Sequence, residues 1–377
     1  MDALRVFTEE PEVELWKALL RYSYATNIKR YFSENHIVPK EDGDSCINCI
    51  SGALLQADEY YRASQGVSLQ VRPLLLYYGT TNLLYAMYVL MSGTIPDIKC
   101  HGMRIEVAAD DKPFIADTLV RFDNPRDGGV HLFAKQLGYD VNLCELVDWD
   151  LGMFLDSIAE IAQDFEECYT DRRSHVLLLN TVKTPDGDVE KVFLNEGGQE
   201  VFAAVEGLNK AFLTPQEVRY QQGGPYYVLR RKMAGKDITR VSYSGQPYLQ
   251  VAHRKGKRLV TVSSELGMYI SLFVLGSLCR YHPEKWNPFV TQDSTGERLL
   301  VEKLLYYARR MLPNVVLNAI TGRTTIFVTS RFEPDSRIQP VGEHEVREIV
   351  RKAVGQQLRA EQARHVMHGS EGQRNGD

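Results

Sequence analysis

The sequence predicts an α+β fold, a mainly helical core formed by the N- and C-terminal segments with a β-rich insert in the middle. Three observations predict it. The stretch Val71–Arg104 carries no charged residue from Pro73 to Pro96, longer than any other uncharged window in the chain. Glu265–Cys279 (ELGMYISLFVLGSLC) is a second, nearly all-apolar run of helical length. Between them, from about 174 to 264, short alternating stretches are separated by Gly-containing turns, the pattern of successive strands.

The first apolar run predicts a helix over 74–91. Pro73 suits the first turn, where its missing N–H costs nothing and its fixed φ fits the entry. Gly93 is the expected stop, and Gly79 permits close approach of another backbone. A helix apolar almost all round is buried rather than laid on a surface. Its length would also span a bilayer. However, Tyr77, Tyr78, Thr80, Thr81 and Asn82 need polar partners, and no Lys/Arg cluster marks a flank, so no membrane association is expected.

Before this helix, Glu12–Tyr31 predicts one helix with Leu15, Trp16, Leu19, Leu20, Tyr24 and Ile28 on a connected face. His36–Asp44 is a breaker-rich loop, and Ser45 is the expected cap of a helix over 46–64 that Gly66 ends. After it, MRIEVAA and DTLVRF predict short strands, Asn124–Gly129 a turn, and Val147–Asp164 a helix through Leu151, Phe154, Leu155, Ile158 and Ile161. HVLLLNTVK and VEKVFL around Pro185-Asp-Gly-Asp188 predict a tight hairpin. Strands are expected over 226–232, 238–243, 248–254 and 258–263; Leu208–Tyr220 is ambiguous.

In the last third, Pro283 should stop the second apolar helix near Tyr281. An amphipathic helix over 298–311 should end before Pro313, followed by an apolar segment at 315–320 and a strand at 324–328. Glu343–Val366 suggests a surface helix, and the polar tail from Gly369 suggests disorder. The two apolar helices should bury each other or share partners. The expected organisation is core 1–173, insert 174–264, core again 265–336, and a surface helix with tail over 337–377.

The 377 residues carry a net charge of −5 at pH 7 with 44% hydrophobic and 25% charged residues, an ordinary globular composition. That balance predicts no generally basic nucleic-acid or membrane surface. The acidic N-terminus lacks an apolar signal core, so no secretion signal is expected. Six cysteines are too few for a disulfide scaffold in a chain of this length and fit a reducing, cytoplasmic setting. Cys46 and Cys49 form a C-x-x-C pair, but no second pair is spaced to complete a zinc site, so they are expected to be packed thiols and no metal or cofactor is predicted.

The ordered pieces Arg72-Pro73-Leu-Leu-Leu-Tyr77-Tyr78-Gly79 with Asn82 and Ala86, His101-Gly102, Ser277, Arg280-Tyr281, Pro283, Trp286, and Ala308-Arg309…Pro313…Leu317 resemble the YaaC-like family of bacterial proteins. The resemblance runs from about residue 15 to 328. Met103 stands where the family pattern leads to an expected leucine, a conservative departure. The resemblance implies a bacterial cytosolic protein and carries no activity with it. A looser, fold-level similarity to helical HEPN-type proteins implies an RNA-directed nuclease or a helical dimerisation module.

HEPN-type nucleases pair an Arg with a His four to six residues later. Arg30…His36 and Arg359…His365 meet that spacing, but such pairs arise by chance in a chain this rich in Arg. The stronger candidates are Arg280 and His282 beside Tyr281 and Trp286, where a cation closing an apolar helix either binds an anion or pairs with a buried acceptor. His101 could be an acid, a base or a hydrogen-bonded structural group. Arg72, Tyr78 and Asn82 could form a polar network within the helices. No P-loop, dinucleotide fingerprint, H-E-x-x-H or G-x-S-x-G motif occurs. The sequence therefore predicts a binding or regulatory protein that forms a homo-oligomer and offers a pocket to an anion, RNA or nucleotide ligand; the alternative is a metal-independent RNA-directed nuclease.

Overall fold

The computed structural model describes residues 3–109, 114–123, 128–136, 138–139, 143–146, 148–184, 187–193, 198–218, 226–232, 235–255 and 258–328. Residues 1–4 and 10–326 cluster as one compact unit; 5–9 with the chain from Phe327 onward form a second, of which 5–9 and 327–328 are described. The predicted turn at 124–129 (apart from Gly128 and Gly129), the hairpin tip at 185–186 and everything after Val328 lie outside the described residues.

In chain order the elements begin with β1 (Ala3–Phe7), α1 (Pro11–Leu20), α2 (Ala25–Glu34), α3 (Gly43–Gln65) and α4 (Arg72–Ser92). Strands β2 (Met103–Glu106) and β3 (Leu119–Phe122) follow, then α5 (Gly129–Gln136), β4 (Trp149–Asp150), α6 (Gly152–Leu155) and α7 (Ala162–Cys168). The middle holds β5 (Val176–Leu178), β6 (Asn180–Thr184), β7 (Gly187–Phe193), α8 (Gly198–Ala203), α9 (Leu208–Ala211), β8 (Gln216–Val218) and β9 (Tyr226–Arg230). It closes with β10 (Arg240–Val241), β11 (Pro247–Gln250), β12 (His253–Lys255) and β13 (Arg258–Val260). The last third is α10 (Ser264–Tyr281), α11 (Pro283–Gln292), α12 (Glu297–Thr321) and β14 (Thr324–Val328). The class is α+β, as predicted.

Helix α4 is the centre of the helical core. Pro73 lies in its first turn and Gly93 ends it in the left-handed region at φ 63°. It packs on α3, α10 and α12. A Cβ on Gly79 would meet the Tyr61 ring at 2.8 Å, so the missing side chain lets α3 and α4 close together. The Tyr61 hydroxyl reaches Thr80 Oγ1 at 2.7 Å, satisfying two polar groups inside this contact. At the α4–α10 crossing, Gly276 places α10 against Leu74 and Tyr77. The two apolar helices do bury each other. α4 is long and apolar enough to cross a membrane, yet more than half of it is buried inside the fold.

Several boundaries differ from the sequence reading for local reasons. The predicted helix 12–31 is two helices, because Tyr24 is extended and the Ser23 hydroxyl and Asn27 amide take the carbonyls of Leu20 and Arg21. Asp42, rather than Ser45, caps α3, accepting from the Ser45 N–H. The helix expected over 147–164 breaks into β4, α6 and α7 because Ile158 is extended and the Asp156 carbonyl accepts from the His175 N–H at 2.8 Å. Pro313 does not end α12: the helix runs on to Thr321, and Val316, Leu317 and Ile320 bury its last turns. α11 was not foreseen; Pro283 both stops α10 and starts the next helix.

The strands form small antiparallel sheets: β2-β3-β4, β6-β7-β9-β8, β10-β11-β5 and the hairpin β12-β13. The hairpin predicted around 185–188 is present, with Thr184 opposite Gly187. HVLLLNTVK, however, is shared between two sheets, because the buried Leu179 separates β5 from β6 and its N–H donates to the Pro247 carbonyl. A second apolar core joins Leu177, Leu179, Phe202, Tyr227, Leu229 and Leu249.

Candidate functional site

Consecutive helical residues point about 100° apart, so Tyr77 and Tyr78 of α4 serve different surroundings. Tyr77 is buried, stacked on Tyr269 at 5.9 Å and edge-on to Phe273 at 5.5 Å. Tyr78 is half-buried and stacks on Tyr60 of α3. The Tyr77 hydroxyl lies 2.7 Å from His101 Nδ1. Burial holds the Tyr77 phenol far above its ordinary range, so it keeps its proton.

His101 is exposed at the rim of this aromatic cluster, and its backbone is fixed from below. Its carbonyl accepts from Val130 N–H at 3.1 Å, and the Cys100 carbonyl accepts from Gly129 N–H at 3.0 Å, both at the start of α5. Gly102 adopts φ +79°, and a Cβ there would lie 2.7 Å from Gly128 Cα. Gly102 thus combines a positive φ with a close backbone approach, and both require the missing side chain.

Arg280, in the last turn of α10, is exposed and donates from Nη1 to the Tyr78 hydroxyl at 2.6 Å. The carbonyl end of a helix favours a cation. Its guanidinium also lies 4.9 Å from the ring centre of Tyr281, which is exposed. Although the residue is exposed, its ring packs against Tyr77 and Phe273, and this partial desolvation first, then the Arg280 cation, holds His101 below the usual imidazole range. His101 is therefore a neutral ring at neutral pH beside an oriented guanidinium fork.

Arg72 donates to the Val67 carbonyl at 2.7 Å and ties down the α3–α4 loop. Asn82 is half-buried, one turn beyond Tyr78 on α4. His282 follows α10 with Nδ1 3.4 Å from Glu284. Trp286 is 1% exposed, packs on Phe289 and donates to the Gln70 carbonyl at 3.3 Å, a core position. Arg30 bonds Asn27, and His36 sits past the end of α2 with φ 54°. Arg359 and His365 lie outside the described residues. Cys46 is buried and half-buried Cys49 sits one turn on; all six cysteines lack disulfides.

A second group of chemically able residues was not singled out from sequence. Asp156 after α6, His175 before β5 and His253 opening β12 bring their ligand atoms within 4.8 Å of one another. Asp156 and His253 are buried, and His175 is partly exposed. Their wide separation along the chain offers no spacing signal; only the sheet and loop packing assembles them.

A family model described as YaaC-like Protein matches residues 21–320. No curated protein matches the chain, and no solved structure matches it either.

Proposed function

We propose a binding function on a plain premise: the chain belongs to the YaaC-like protein family, whose model covers most of it. In this reading the protein is a non-enzymatic regulatory protein that captures a phosphate-bearing ligand, a nucleotide or an RNA end, between Arg280 and His101. The observation that carries it is the exposed Arg280 fork, oriented by Tyr78 beside a neutral His101 fixed by Tyr77. A guanidinium has five N–H donors, and one hydrogen bond to Tyr78 leaves the others for a phosphate. If the Tyr77 phenol donates to Nδ1, the His101 Nε2–H is a further donor.

The family resemblance supports a bacterial setting. Six thiols without a disulfide fit the cytoplasm, and self-association through the helices completes the reading. The test is calorimetric titration with pyrophosphate and nucleoside triphosphates. Wild-type protein should bind and Arg280→Ala should lose at least about tenfold in affinity, the effect of one charge-assisted pair. Equal binding by both proteins, or none by either, would end this reading.

The 2.7 Å contact between Tyr77 and His101 also fits a second reading. If Tyr77 accepts from Nδ1–H instead, Nε2 is a free base next to a phosphate-binding cation, the minimum for metal-independent RNA cleavage. Cleavage of RNA that Arg280→Ala and His101→Gln both abolish would select it; intact RNA would leave binding alone.

A further inference from the structure

We infer that Asp156, His175 and His253 form a mononuclear site for a first-row divalent transition ion, of the zinc or ferrous class. Two imidazoles and one carboxylate suit those ions and leave coordination positions for water or substrate. His175 Nδ1 lies 3.1 Å from Asp156 Oδ2, and His253 Nε2 lies 3.0 Å from Asp156 Oδ1. Ligands held about 2.1 Å from one ion stand about 3.0–3.4 Å from each other; the two contacts end on different carboxylate oxygens, and with one ligand atom from each residue the three lie within 4.8 Å, so the side chains draw in to close on an ion.

An independent observation points to a ligand. His175 Nδ1 is buried and makes no hydrogen bond, despite its closeness to the carboxylate. The carboxylate 3.1 Å away is not aligned for a hydrogen bond with this buried nitrogen, and an unplaced ion is one of the standard explanations of such a group. Ion capture would satisfy this nitrogen directly.

The surroundings hold the ligands as a second shell would. Ser157 Oγ donates to Asp156 Oδ1 at 3.1 Å and lies 3.1 Å from His253 Nε2. Gln250 of β11 donates to the carbonyls of His175 and Ser157 at 3.1 and 3.3 Å. The Asp156 carbonyl accepts from the Ser174 hydroxyl at 3.0 Å. The Trp149 ring is 4.7 Å from the His253 ring, a dry wall on the inner side. Such outer contacts fix ligand orientation and raise affinity. His175 is the half-exposed member and provides the side of entry.

The rings of His175 and His253 are stacked, 3.6 Å between centres and 20° between planes. Coordination requires them to fan apart so that their lone pairs converge, and the partly exposed His175 has more freedom to turn than the buried His253. Without a metal, the arrangement is a carboxylate shared by two imidazoles, a structural clamp.

The test is titration of chelator-stripped full-length protein with Co²⁺, followed by visible absorption, with equilibrium dialysis for stoichiometry. One equivalent should bind, give a d–d band without a thiolate charge-transfer band, and be displaced by Zn²⁺. Asp156→Asn and His175→Ala should each weaken binding more than about 100-fold, since loss of outer-shell partners alone costs 10–100-fold. Should Asp156→Asn fail to fold, the partly exposed His175→Ala carries the comparison. Arg280→Ala should bind Co²⁺ normally, so failure here is separate from failure of the anion site. No bound equivalent in folded wild type, a thiolate band, or unchanged affinity in His175→Ala would overturn the proposal and leave the clamp.

Discussion

Replacing Gly102 with Ala attacks the support of His101 without touching its ring. Two costs follow from the structure. The backbone at φ +79° is strained for any residue with a Cβ, worth about 1–2 kcal/mol. The added Cβ would also stand 2.7 Å from Gly128 Cα and 3.0 Å from Val130 Cγ1, an overpacking of about 1–3 kcal/mol. The backbone of Gly128 cannot swing aside as a flexible side chain would, so the sum is about 3 kcal/mol. Gly245 provides the control, with φ +86° and nothing within 4 Å of a Cβ; Gly245→Ala should lose only the conformational part, about 1 kcal/mol. Urea unfolding of both variants measures the difference. A loss for Gly102→Ala no larger than that for Gly245→Ala would refute the close Gly102–Gly128 approach and the fixed placement of His101.

Other outcomes follow from the same packing and electrostatics. Gly276→Ala should be tolerated, since its Cβ would meet Leu74 and Tyr77 at ordinary 3.5–3.6 Å contacts, whereas Gly276→Leu should overpack the α4–α10 crossing by about 1–3 kcal/mol in thermal or chemical unfolding. Glu297 is buried and accepts from Ile115 N–H, Ala116 N–H and Tyr169 OH; Glu297→Gln turns an amide N–H₂ toward those donors and should cost about 1–3 kcal/mol at neutral pH. Burial raises the Glu297 carboxyl above its ordinary value of 4.5 despite the Tyr169 and backbone bonds. The folded state thus holds the proton more tightly, stability falls as pH rises from that value through the raised one, and Glu297→Gln should flatten this slope. His101 has the opposite shift: below pH 6.5 the unfolded chain takes a proton that folded His101 refuses, so stability falls with pH until the folded value is reached. Arg280→Ala should raise the His101 value without restoring it fully, because burial is the larger cause; an unchanged proton NMR titration would contradict their proximity.

The helical core was legible because its signals are local. Pro73, Gly79 and Gly93 mark entry, contact and exit of α4, and two uncharged runs can be buried only inside the fold. The misread boundaries turn on particular hydrogen bonds and on burial, which apolar periodicity does not carry. Ser23, Asn27 and Asp156 spend polar groups on local or distant partners, and Pro313 is carried within α12 by the burial of Val316, Leu317 and Ile320. Arg280, Tyr78 and His101 could be named from sequence because each closes or interrupts an apolar element. Their mutual approach, and the role of Tyr77 between core and rim, could not be read, because it depends on how α4 and α10 cross. Trp286, expected as an aromatic neighbour of Arg280, fills core instead. Asp156, His175 and His253 gave no signal at all, lying in three segments joined by sheet packing.

On the proposed function, Arg280 and His101 face a common anion. The most direct measurement is the His101 imidazole resonance in wild type and Arg280→Ala during titration with pyrophosphate. Wild type should show a saturable shift, with the His101 proton affinity raised by the bound anion, and Arg280→Ala should lose both. A wild-type His101 resonance that stays still while pyrophosphate binds elsewhere, or the same shift in both proteins, would contradict it.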